Sequence, residues 1–518
     1  MLAARRRPTG RDLRLDLIVV AIPVLVGGVF CAIELNTRSL WLDEGSSFAI
    51  ASQHGAALWR GIAHDGGNML LYYLLLHVFI SLFGDATWVM RLPSLLADAA
   101  TGGLVVVIGL RLLGDRRQAV AGGLLTVVSV PLVFWGQDAR GYSLMLTLAT
   151  ASMLAFIVIV DSGSLDRPRS RAAPVAYVLT TLAALYVGYD AGLLILAQLV
   201  TLTVLRERAK LVLCSLATVA VLSAPLLVLA LNRGSAQLFW VPALSGSVLG
   251  QTAITLLSGG MPPNFHHTAT SVPMTILSGV LTVWGLAVAV RADWRVRLLT
   301  VWLLIPAVVA LALAAAGMPI ELARSAILVM PALSLLLVWL LARASLPRGA
   351  GAATFAVLIV LRVLQIVPSY GTSPEDWKAA SAYVLSASAA QPACIAFYPQ
   401  DGREVFQYYL QRSAGTALGR ESSRRLIPVL PTLRFGTVKP FVEQYATLTG
   451  GSLAAVRRRC AVLFVLASHI GQGSGPAVSR LHLEQYEQLR QTLAKQYASH
   501  TLREFGWAAP VYVTRYSH

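Results

Sequence analysis

Two adjacent carboxylates, Asp43 and Glu44, are the residues whose types and position most suggest chemistry. They end the segment Arg-Ser-Leu-Trp-Leu-Asp-Glu at positions 38–44, which follows the first long apolar run, residues 17–33. A carboxylate pair at the point where a hydrophobic helix leaves the membrane suits acid–base or cation chemistry on a lipid-borne substrate. The alternative is a solvated loop after a membrane helix, which would carry no chemistry.

The composition indicates which elements surround this pair. The chain has 518 residues, of which 56% are hydrophobic and 13% are charged, and its mean hydropathy is +0.66. A soluble domain cannot cover that much apolar surface, so we predict a chain that crosses a membrane many times. The net charge of +17 does not indicate a nucleic-acid partner, because the basic residues form short clusters between apolar runs. Scarce lysine beside abundant alanine, glycine and valine is typical of a GC-rich bacterial genome.

Eleven membrane spans are predicted from the apolar runs and the positive-inside rule. Basic residues between positions 5 and 14 mark the first span as an uncleaved signal anchor with a cytoplasmic N-terminus. The run 68–83 is short for a crossing, and a crossing there would place Arg111, Arg116 and Arg117 outside. We therefore predict that it lies along the outer surface or re-enters the membrane from that side. The predicted spans are residues 17–33, 91–113, 119–135, 142–160, 173–188, 191–205, 211–231, 271–290, 298–316, 326–342 and 350–367.

Beyond residue 368 no apolar run is long enough to span, and an odd number of spans places this part outside. Residues 394–398, 460–466 and 511–513 are predicted strands, and residues 404–412 and 481–498 are predicted helices. This alternation predicts a small α/β domain. The chain thus divides into a membrane domain, residues 1–368, with a first outer loop at 36–90, and an extracytoplasmic α/β domain, residues 369–518.

Three single features of the outer parts carry further predictions. Residues 46–63 have the mixed character of a helix that lies in the membrane interface. Trp377, at the start of the outer domain, is predicted to anchor that domain at the interface. Cys394 and Cys460 each open a predicted strand, and the compartment permits a disulfide. Whether they pair stays open, because the sequence does not show that the two strands are neighbours.

Four short motifs follow one another in the first part of the chain. They are the segment at 38–44, Tyr-Tyr-Leu-Leu-Leu-His at 72–77, Arg-Leu-Pro-Ser at 91–94 and Gln-Asp-Ala-Arg-Gly-Tyr-Ser at 137–143. Together they resemble the GT-C membrane glycosyltransferases, specifically the branch of the dolichyl-phosphate-mannose protein mannosyltransferases. The resemblance covers residues 15–370. It implies a GT-C-like helical membrane domain that transfers a sugar from a polyprenyl phosphate at the outer membrane face.

The resemblance also implies a role for the first carboxylates. Asp43 would act as the base that deprotonates the acceptor hydroxyl, with Glu44 in support. A sugar hydroxyl is a weak nucleophile, and a base within about 3 Å of it helps most as attack begins.

The leaving lipid phosphate needs cationic support rather than protonation. Arg140 and Arg324 are the candidates for that support, and interfacial snorkelling is the alternative for each. Asp138 would orient Arg140 or assist the acceptor. The alternative is a purely structural ion pair with Arg140, which the sequence does not distinguish from these roles. Tyr72, within the second motif, is a further candidate for substrate binding.

His266 and His267 lie in the long outer connection 232–270, which is predicted to act as a lid. They would contact the phosphate, share the role of base, or join Asp43 around a divalent metal, and the alternative is a surface pair without function. Two adjacent histidines do not define a metal site, so the sequence assigns no cofactor and leaves the metal undecided.

One departure from the family pattern concerns the acceptor. Asn-Met-Leu at 68–70 stands where the family has His-Pro-Pro, which indicates a different acceptor. The predicted function is inverting transfer of a hexose, with mannose as the leading choice, to a glycolipid, polysaccharide or protein at the outer face of a bacterial plasma membrane. The alternatives are a transporter or flippase for an isoprenoid lipid or lipid-linked sugar, although no repeated halves are visible, and an inactive scaffold.

Overall fold

The apolar runs of the sequence form helices in the computed structural model, which describes residues 10–161, 172–205, 209–234, 241–261, 268–318, 320, 322–343, 347, 349–388, 391–436, 444–448, 450–473 and 475–518. Within these residues the α-helices are, in chain order, α1 (Gly10–Ala32), α2 (Leu42–Ala51), α3 (Ala56–His64), α4 (Leu70–Phe83), α5 (Thr87–Leu112), α6 (Arg116–Val127), α7 (Val130–Gly136), α8 (Tyr142–Asp161), α9 (Ala172–Val187), α10 (Gly192–Val204), α11 (Ala209–Leu222), α12 (Ala224–Arg233), α13 (Gly246–Leu256), α14 (Thr268–Ala289), α15 (Trp294–Ala315), α16 (Leu322–Ser325), α17 (Met330–Arg343), α18 (Ala350–Ile366), α19 (Trp377–Ser388), α20 (Gly402–Ser413), α21 (Ala417–Arg425), α22 (Gly450–Arg459) and α23 (Pro476–Gln496). The β-strands are β1 (Ala393–Tyr398), β2 (Leu426–Leu430), β3 (Val462–Ala467), β4 (Ser499–Phe505) and β5 (Val511–Ser517).

Helices that could cross a membrane account for most of the first 370 residues. In the described part of the chain, seven are long and apolar enough to do so, and there are up to nine if each of two bent pairs counts as one span. The bent pairs are α6 with α7, at 65°, and α11 with α12, at 50°. Each second helix has a proline in its first turn, Pro131 or Pro225, and proline cannot continue the preceding ladder of hydrogen bonds.

The remaining predicted spans, 173–188 and 191–205, are the shorter apolar helices α9 and α10. A span usually needs about 20 residues, so the predicted count of eleven stays a prediction. The run 68–83 forms the 14-residue helix α4, with Val78, Leu82 and Phe83 exposed and Tyr72, Tyr73 and Leu76 buried. The chain is a multi-pass helical membrane protein.

The C-terminal residues form the predicted α/β domain around a five-stranded mixed sheet. The strand order is β2-β1-β3-β5-β4, with β1 parallel to both of its neighbours and β5 antiparallel to both of its own. Every residue of β1 and β3 is buried, as expected for central strands covered on both faces. Cys394 in β1 and Cys460, just before β3, form a disulfide with Cα atoms 5.7 Å apart.

The chain forms two compact units, and each has discontinuous segments. Unit 1 comprises the described parts of residues 1–33, 91–227 and 244–369, and unit 2 those of residues 34–90, 228–243 and 370–518. The C-terminal boundary lies one residue from the predicted one. The first outer loop, however, belongs to the same unit as the C-terminal domain.

Contacts of α2 with α20 explain this grouping. Gly45 lets the two helices approach closely, since a Cβ there would lie 2.3 Å from Val405 Cγ2, and the ring of Phe48 lies 5.0 Å from that of Tyr408. The prediction of one interfacial helix over 46–63 is therefore wrong. The segment forms α2 and α3 with a break before Gly55, which has a φ of +53°, and Phe48 is buried by α20 rather than at an interface.

Candidate active site

Asp43 and Glu44 occupy the first turn of α2 in unit 2. Neighbouring residues on a helix point about 100° apart, and here the two side chains have different environments. Glu44 is completely buried, whereas Asp43 is partly exposed. A negative charge in the first turn is favoured by the helix dipole. Of the two carboxylates, Asp43 is therefore the one that a substrate can reach.

The segment before α2 is held by residues that follow it by more than 300 positions. Ser39 donates its main-chain N–H to Ser373 Oγ over 2.8 Å and accepts a hydrogen bond from Lys378 N over 2.9 Å. The main-chain N–H of Leu40 donates to the hydroxyl of Tyr409 over 2.7 Å. These contacts fix the entry of the chain into α2 and hence the direction of its first turn.

Glu375 binds the start of α2 directly. Its Oε2 accepts a hydrogen bond from Leu42 N over 3.2 Å and a second from Trp377 Nε1 over 3.0 Å. Its Oε1 lies 2.8 Å from His469 Nε2. The first N–H groups of a helix have no partner within the helix, and Glu375 supplies one. The prediction that Trp377 anchors the domain at the membrane is wrong, since Trp377 is fully buried and is occupied by this contact.

His469, whose side chain is 18% exposed, completes a titratable cluster with the buried Glu375 and Asp401. Its φ of +49° is in the left-handed region, which is uncommon for a residue other than glycine and is often found at functional sites. Its Nδ1 is buried and has no hydrogen-bond partner among the residues that the structure describes. Asp401 and Asp43 both act on it electrostatically.

Burial controls the protonation of this cluster. It raises the pKa of Glu375 to about 8, with the charges of Asp43 and Glu44 adding to the rise, and it raises the pKa of Asp401 to about 7. It lowers the pKa of His469, against the opposing effect of Asp401 and Asp43. Near neutral pH, Glu375 and His469 therefore share one proton and carry no net charge as a pair.

Sequence reasoning missed Glu375, Asp401 and His469. A usable signal existed for two of them, because Asp401 follows β1 and His469 follows β3, and these strands are parallel neighbours. Polar residues just beyond the carboxyl ends of adjacent parallel strands meet at one edge of the sheet, where α/β proteins commonly place sites. Glu375 had no such signal.

In unit 1 the predicted cationic residues meet around two aromatic rings. The guanidinium carbon of Arg324 lies 5.1 Å from the ring centre of Tyr142 and 5.6 Å from that of Trp135, and that of Arg140 lies 6.0 Å from Tyr142. Arg324 also donates a hydrogen bond to the hydroxyl of Tyr142. All of these distances are within the range of cation–π attraction. The structure thus brings Arg140 and Arg324 to the same tyrosine.

The loop that carries Asp138 and Arg140 is fixed to the neighbouring helices. Gln137 Nε2 donates to the carbonyl of Ile33 over 2.6 Å, and Ser94 Oγ donates to the carbonyl of Arg140 over 3.0 Å. Asp138 is fully buried. Beside Arg324, Ser325 Oγ donates to Asp190 Oδ2 over 2.9 Å, which places an acidic group near this arginine.

The other predicted site residues are less informative. Tyr72 is fully buried in α4, so it presents no surface to a substrate in this conformation. His266 and His267 lie outside the described residues. No group of three or more His, Cys, Asp or Glu side chains suited to a metal occurs within the part of the chain that is described. The predicted site residues therefore form two sets, with Asp43, Glu44 and Tyr72 in unit 2 and Asp138, Arg140 and Arg324 in unit 1.

Solved structures match this architecture, whereas no family model and no curated protein matches the sequence. ArnT from Cupriavidus metallidurans, bound to undecaprenyl phosphate, is 14% identical, with 97% of each chain covered and a TM-score of 0.55. The oligosaccharyltransferase AglB from Archaeoglobus fulgidus, in complex with an inhibitory peptide and a dolichol-phosphate, is 10% identical, with 89% of this chain and 70% of that chain covered and a TM-score of 0.52. The Archaeoglobus fulgidus oligosaccharyltransferase in complex with Zn and sulfate is 11% identical, with 87% and 68% covered and a TM-score of 0.52.

These neighbours are GT-C membrane glycosyltransferases. The similarity extends over nearly the whole chain, including the C-terminal sheet. It confirms the predicted fold, a polytopic helical membrane protein of GT-C type with a C-terminal α/β domain.

Proposed function

We propose that this protein transfers a hexose, with mannose as the leading choice, from a polyprenyl-phosphate donor to an acceptor hydroxyl with inversion. The observation that carries the proposal is the placement of Asp43. In a chain with the GT-C fold, it is the accessible member of an otherwise enclosed acidic pair on the first turn of α2.

Asp43 acts as the general base in this proposal. A carboxylate that reaches the acceptor hydroxyl takes its proton as the oxygen attacks the anomeric carbon, and the carbon–oxygen bond to the lipid phosphate breaks on the opposite face. Glu44 is enclosed, so it supports the base without touching the acceptor. Glu375 is a positioning residue, because it binds the first turn of α2 through Leu42 N.

Arg140 and Arg324 stabilise the negative charge that develops on the leaving phosphate. The guanidinium groups of both arginines lie near the ring of Tyr142, and their planar N–H donors suit phosphate oxygens. Binding of undecaprenyl phosphate to ArnT and of dolichol-phosphate to AglB supports a lipid phosphate as the ligand. Asp138 orients this cationic group from its buried position. His266 and His267 remain candidates for phosphate or metal contact.

The acceptor is a glycolipid, a polysaccharide or a protein on the outer face of the plasma membrane. The asymmetric distribution of arginine supports a cytoplasmic N-terminus and an extracytoplasmic C-terminal domain. Asn-Met-Leu at 68–70 supports an acceptor different from that of the protein mannosyltransferases.

Transfer of radiolabelled mannose from polyprenyl-phosphate mannose tests the proposal. Membranes or detergent extracts with the wild type should label an endogenous lipid, polysaccharide or protein, and Asp43→Asn should lower the rate by about 100-fold or more. Glu487→Gln, an exposed carboxylate on α23, is the matched control and should keep full activity. Equal rates in Asp43→Asn and the control, at equal protein levels, would remove Asp43 as the base. A requirement for a sealed bilayer would favour a transporter instead.

A further inference from the structure

A cavity of about 600 Å³ with a mixed polar and apolar wall lies within unit 2, between α2 and α20. Its volume is in the range of small-molecule sites. Glutamine amides dominate its polar lining, and Phe48 and Ala49 of α2 form an apolar part of the wall. The lining glutamines are Gln53, Gln400, Gln407, Gln411 and Gln444.

Gln400 and Arg403 are two of the lining polar side chains that are buried. Gln400 is 8% exposed and lines the cavity. Arg403 is 6% exposed, and its Nε has no partner within the described ranges. Its Nη2 donates to the carbonyl of Arg434 over 2.6 Å and to Gln407 Oε1 over 3.5 Å, which fixes the guanidinium in the wall. Gln400 and Arg403 are therefore held in the wall, and their polar groups are the first candidates for contact with a ligand of the cavity.

The cavity chemistry suits a neutral ligand with many hydroxyl groups. Each amide offers both an acceptor and donors, which is what paired sugar hydroxyls require. Arg403 is opposed by Glu404 and Asp401 in the same lining, so the cavity does not select strongly for an anion or a cation. The ring of Phe48 provides an apolar surface for the C–H face of a sugar ring.

We propose that this cavity binds carbohydrate and, resting on the proposed function, that it holds sugar units of a glycan acceptor away from the reacting hydroxyl. Ser52, which lines the cavity, lies about half a turn around α2 from Asp43 at 100° per residue. The part of the cavity wall that α2 forms therefore faces away from Asp43, and Asp401 is the lining residue shared with the titratable cluster beside the first turn. An oligosaccharide or polysaccharide acceptor follows, rather than a bare protein side chain.

Binding of oligosaccharides to the purified full-length protein in detergent tests the site without any transfer. The probes are neutral oligosaccharides of mannose, glucose, galactose and N-acetylglucosamine, with an uncharged peptide of similar size for comparison, followed by calorimetry and saturation-transfer NMR. We expect at least one oligosaccharide to bind in preference to the peptide. Gln400→Ala should weaken its binding about tenfold, the cost of one or two lost hydrogen bonds.

Two further variants protect the test against misfolding. Gln411→Ala and Gln444→Ala remove exposed side chains at the mouth of the cavity and should each weaken binding several-fold without changing the unfolding temperature. Gln491→Ala, an exposed glutamine on α23 outside the cavity, should bind as the wild type does. Absence of binding, preference for the peptide, or equal affinity in the wild type and all three cavity variants would overturn the proposal.

The transfer assay separates this inference from the proposed function. With a glycan acceptor, each cavity variant should raise KM for the acceptor by the factor by which it weakens binding, about tenfold for Gln400→Ala, and leave kcat nearly unchanged, because it removes binding that is equal in the ground and transition states. Sugar binding without any transfer would retain the carbohydrate site and reject the glycosyltransferase. Transfer to a glycan with unaltered KM in these variants would reject the cavity as its site.

Discussion

Replacing Glu375 probes the geometry around the candidate base most directly. The side chain is 3% exposed and has three partners, since Oε2 accepts from Leu42 N and Trp377 Nε1 and Oε1 contacts His469 Nε2. Glu375→Ala removes the hydrogen-bonding partner of all three. Each buried group left unpaired costs about 1–3 kcal/mol, so we expect the free energy of unfolding of unit 2 to fall by about 3 kcal/mol or more.

Glu375→Gln separates the shape of the side chain from its charge. The amide oxygen still accepts from Leu42 N and Trp377 Nε1, and the amide N–H can donate to His469 Nε2 as the protonated carboxyl does, so near neutral pH the loss should be below about 1 kcal/mol. Transfer activity should therefore be far lower in Glu375→Ala than in Glu375→Gln, in which the first turn of α2 keeps its hydrogen bond.

The difference between wild type and Glu375→Gln should also depend on pH. The pKa of Glu375 is raised to about 8 in the folded protein, against about 4.3 in an unfolded chain. Because the folded value is the higher one, stabilisation by the protonated carboxyl is complete below about pH 4 and is lost as the pH rises through 8. Asp43, Glu44, Asp401 and His469, which act on the same site, are present in both proteins. Glutamine does not titrate, so the wild type should lose its advantage between about pH 5 and pH 9.

Thermal unfolding of the full chain in detergent, followed by tryptophan fluorescence at several pH values, measures both effects. Glu421→Gln, on the exposed face of α21, is the matched control for a carboxylate-to-amide change. A Glu375→Ala protein as stable as this control would refute the role of Glu375 at the start of α2. A difference between wild type and Glu375→Gln that stays constant across the pH range would refute its protonation at neutral pH.

Three further substitutions have defined outcomes. Arg324→Lys keeps the positive charge but loses the planar contacts with the rings of Trp135 and Tyr142. The KM for the polyprenyl-phosphate donor, measured by steady-state transfer, should therefore rise about tenfold, and an unchanged KM would contradict this. Gly45→Ala places a Cβ against Val405 and should lower the free energy of unfolding by about 1–3 kcal/mol. Gly415→Ala is the control, because nothing lies within 4 Å of a Cβ there, and it should leave the stability unchanged. Equal thermal stabilities of the two variants would show that α2 can shift away from Val405. Cys394→Ser removes a disulfide between cysteines 66 residues apart and should lower the free energy of unfolding by about 4 kcal/mol. The variant is compared with the oxidised wild type, and the wild type is compared with and without reductant. No loss of stability in either comparison would contradict the prediction.

The membrane helices and the central strands could be predicted because their signal is local. Long apolar runs have few alternatives to spanning a bilayer, and β1 and β3 are short apolar runs bounded by polar residues. The strand β4 was missed because it is an exposed edge strand with no buried face to produce an apolar pattern. The strand β2 was missed because Pro428 lies within it, and proline argues against a strand.

The site was predictable only in part, for a related reason. Asp43 stands out because two carboxylates follow a hydrophobic run. Its partner Glu375 lies 333 residues from Leu42, which it binds, and no local pattern records such a pairing. Likewise, α2 looks interfacial by composition because the sequence does not show that α20 covers Phe48.

The discontinuity of unit 2 has a consequence for the biosynthesis of the protein. Residues 34–90 emerge early, but the residues that hold α2, from Ser373 to Tyr409 and His469, are translated only after almost all of the membrane helices. At about 5–20 residues per second, Val405 follows Gly45 by roughly 20–70 s. During that interval the helix that carries Asp43 lacks the surface on which it packs. The first turn of α2 can therefore reach its final geometry only after residues as far as His469 have been synthesised.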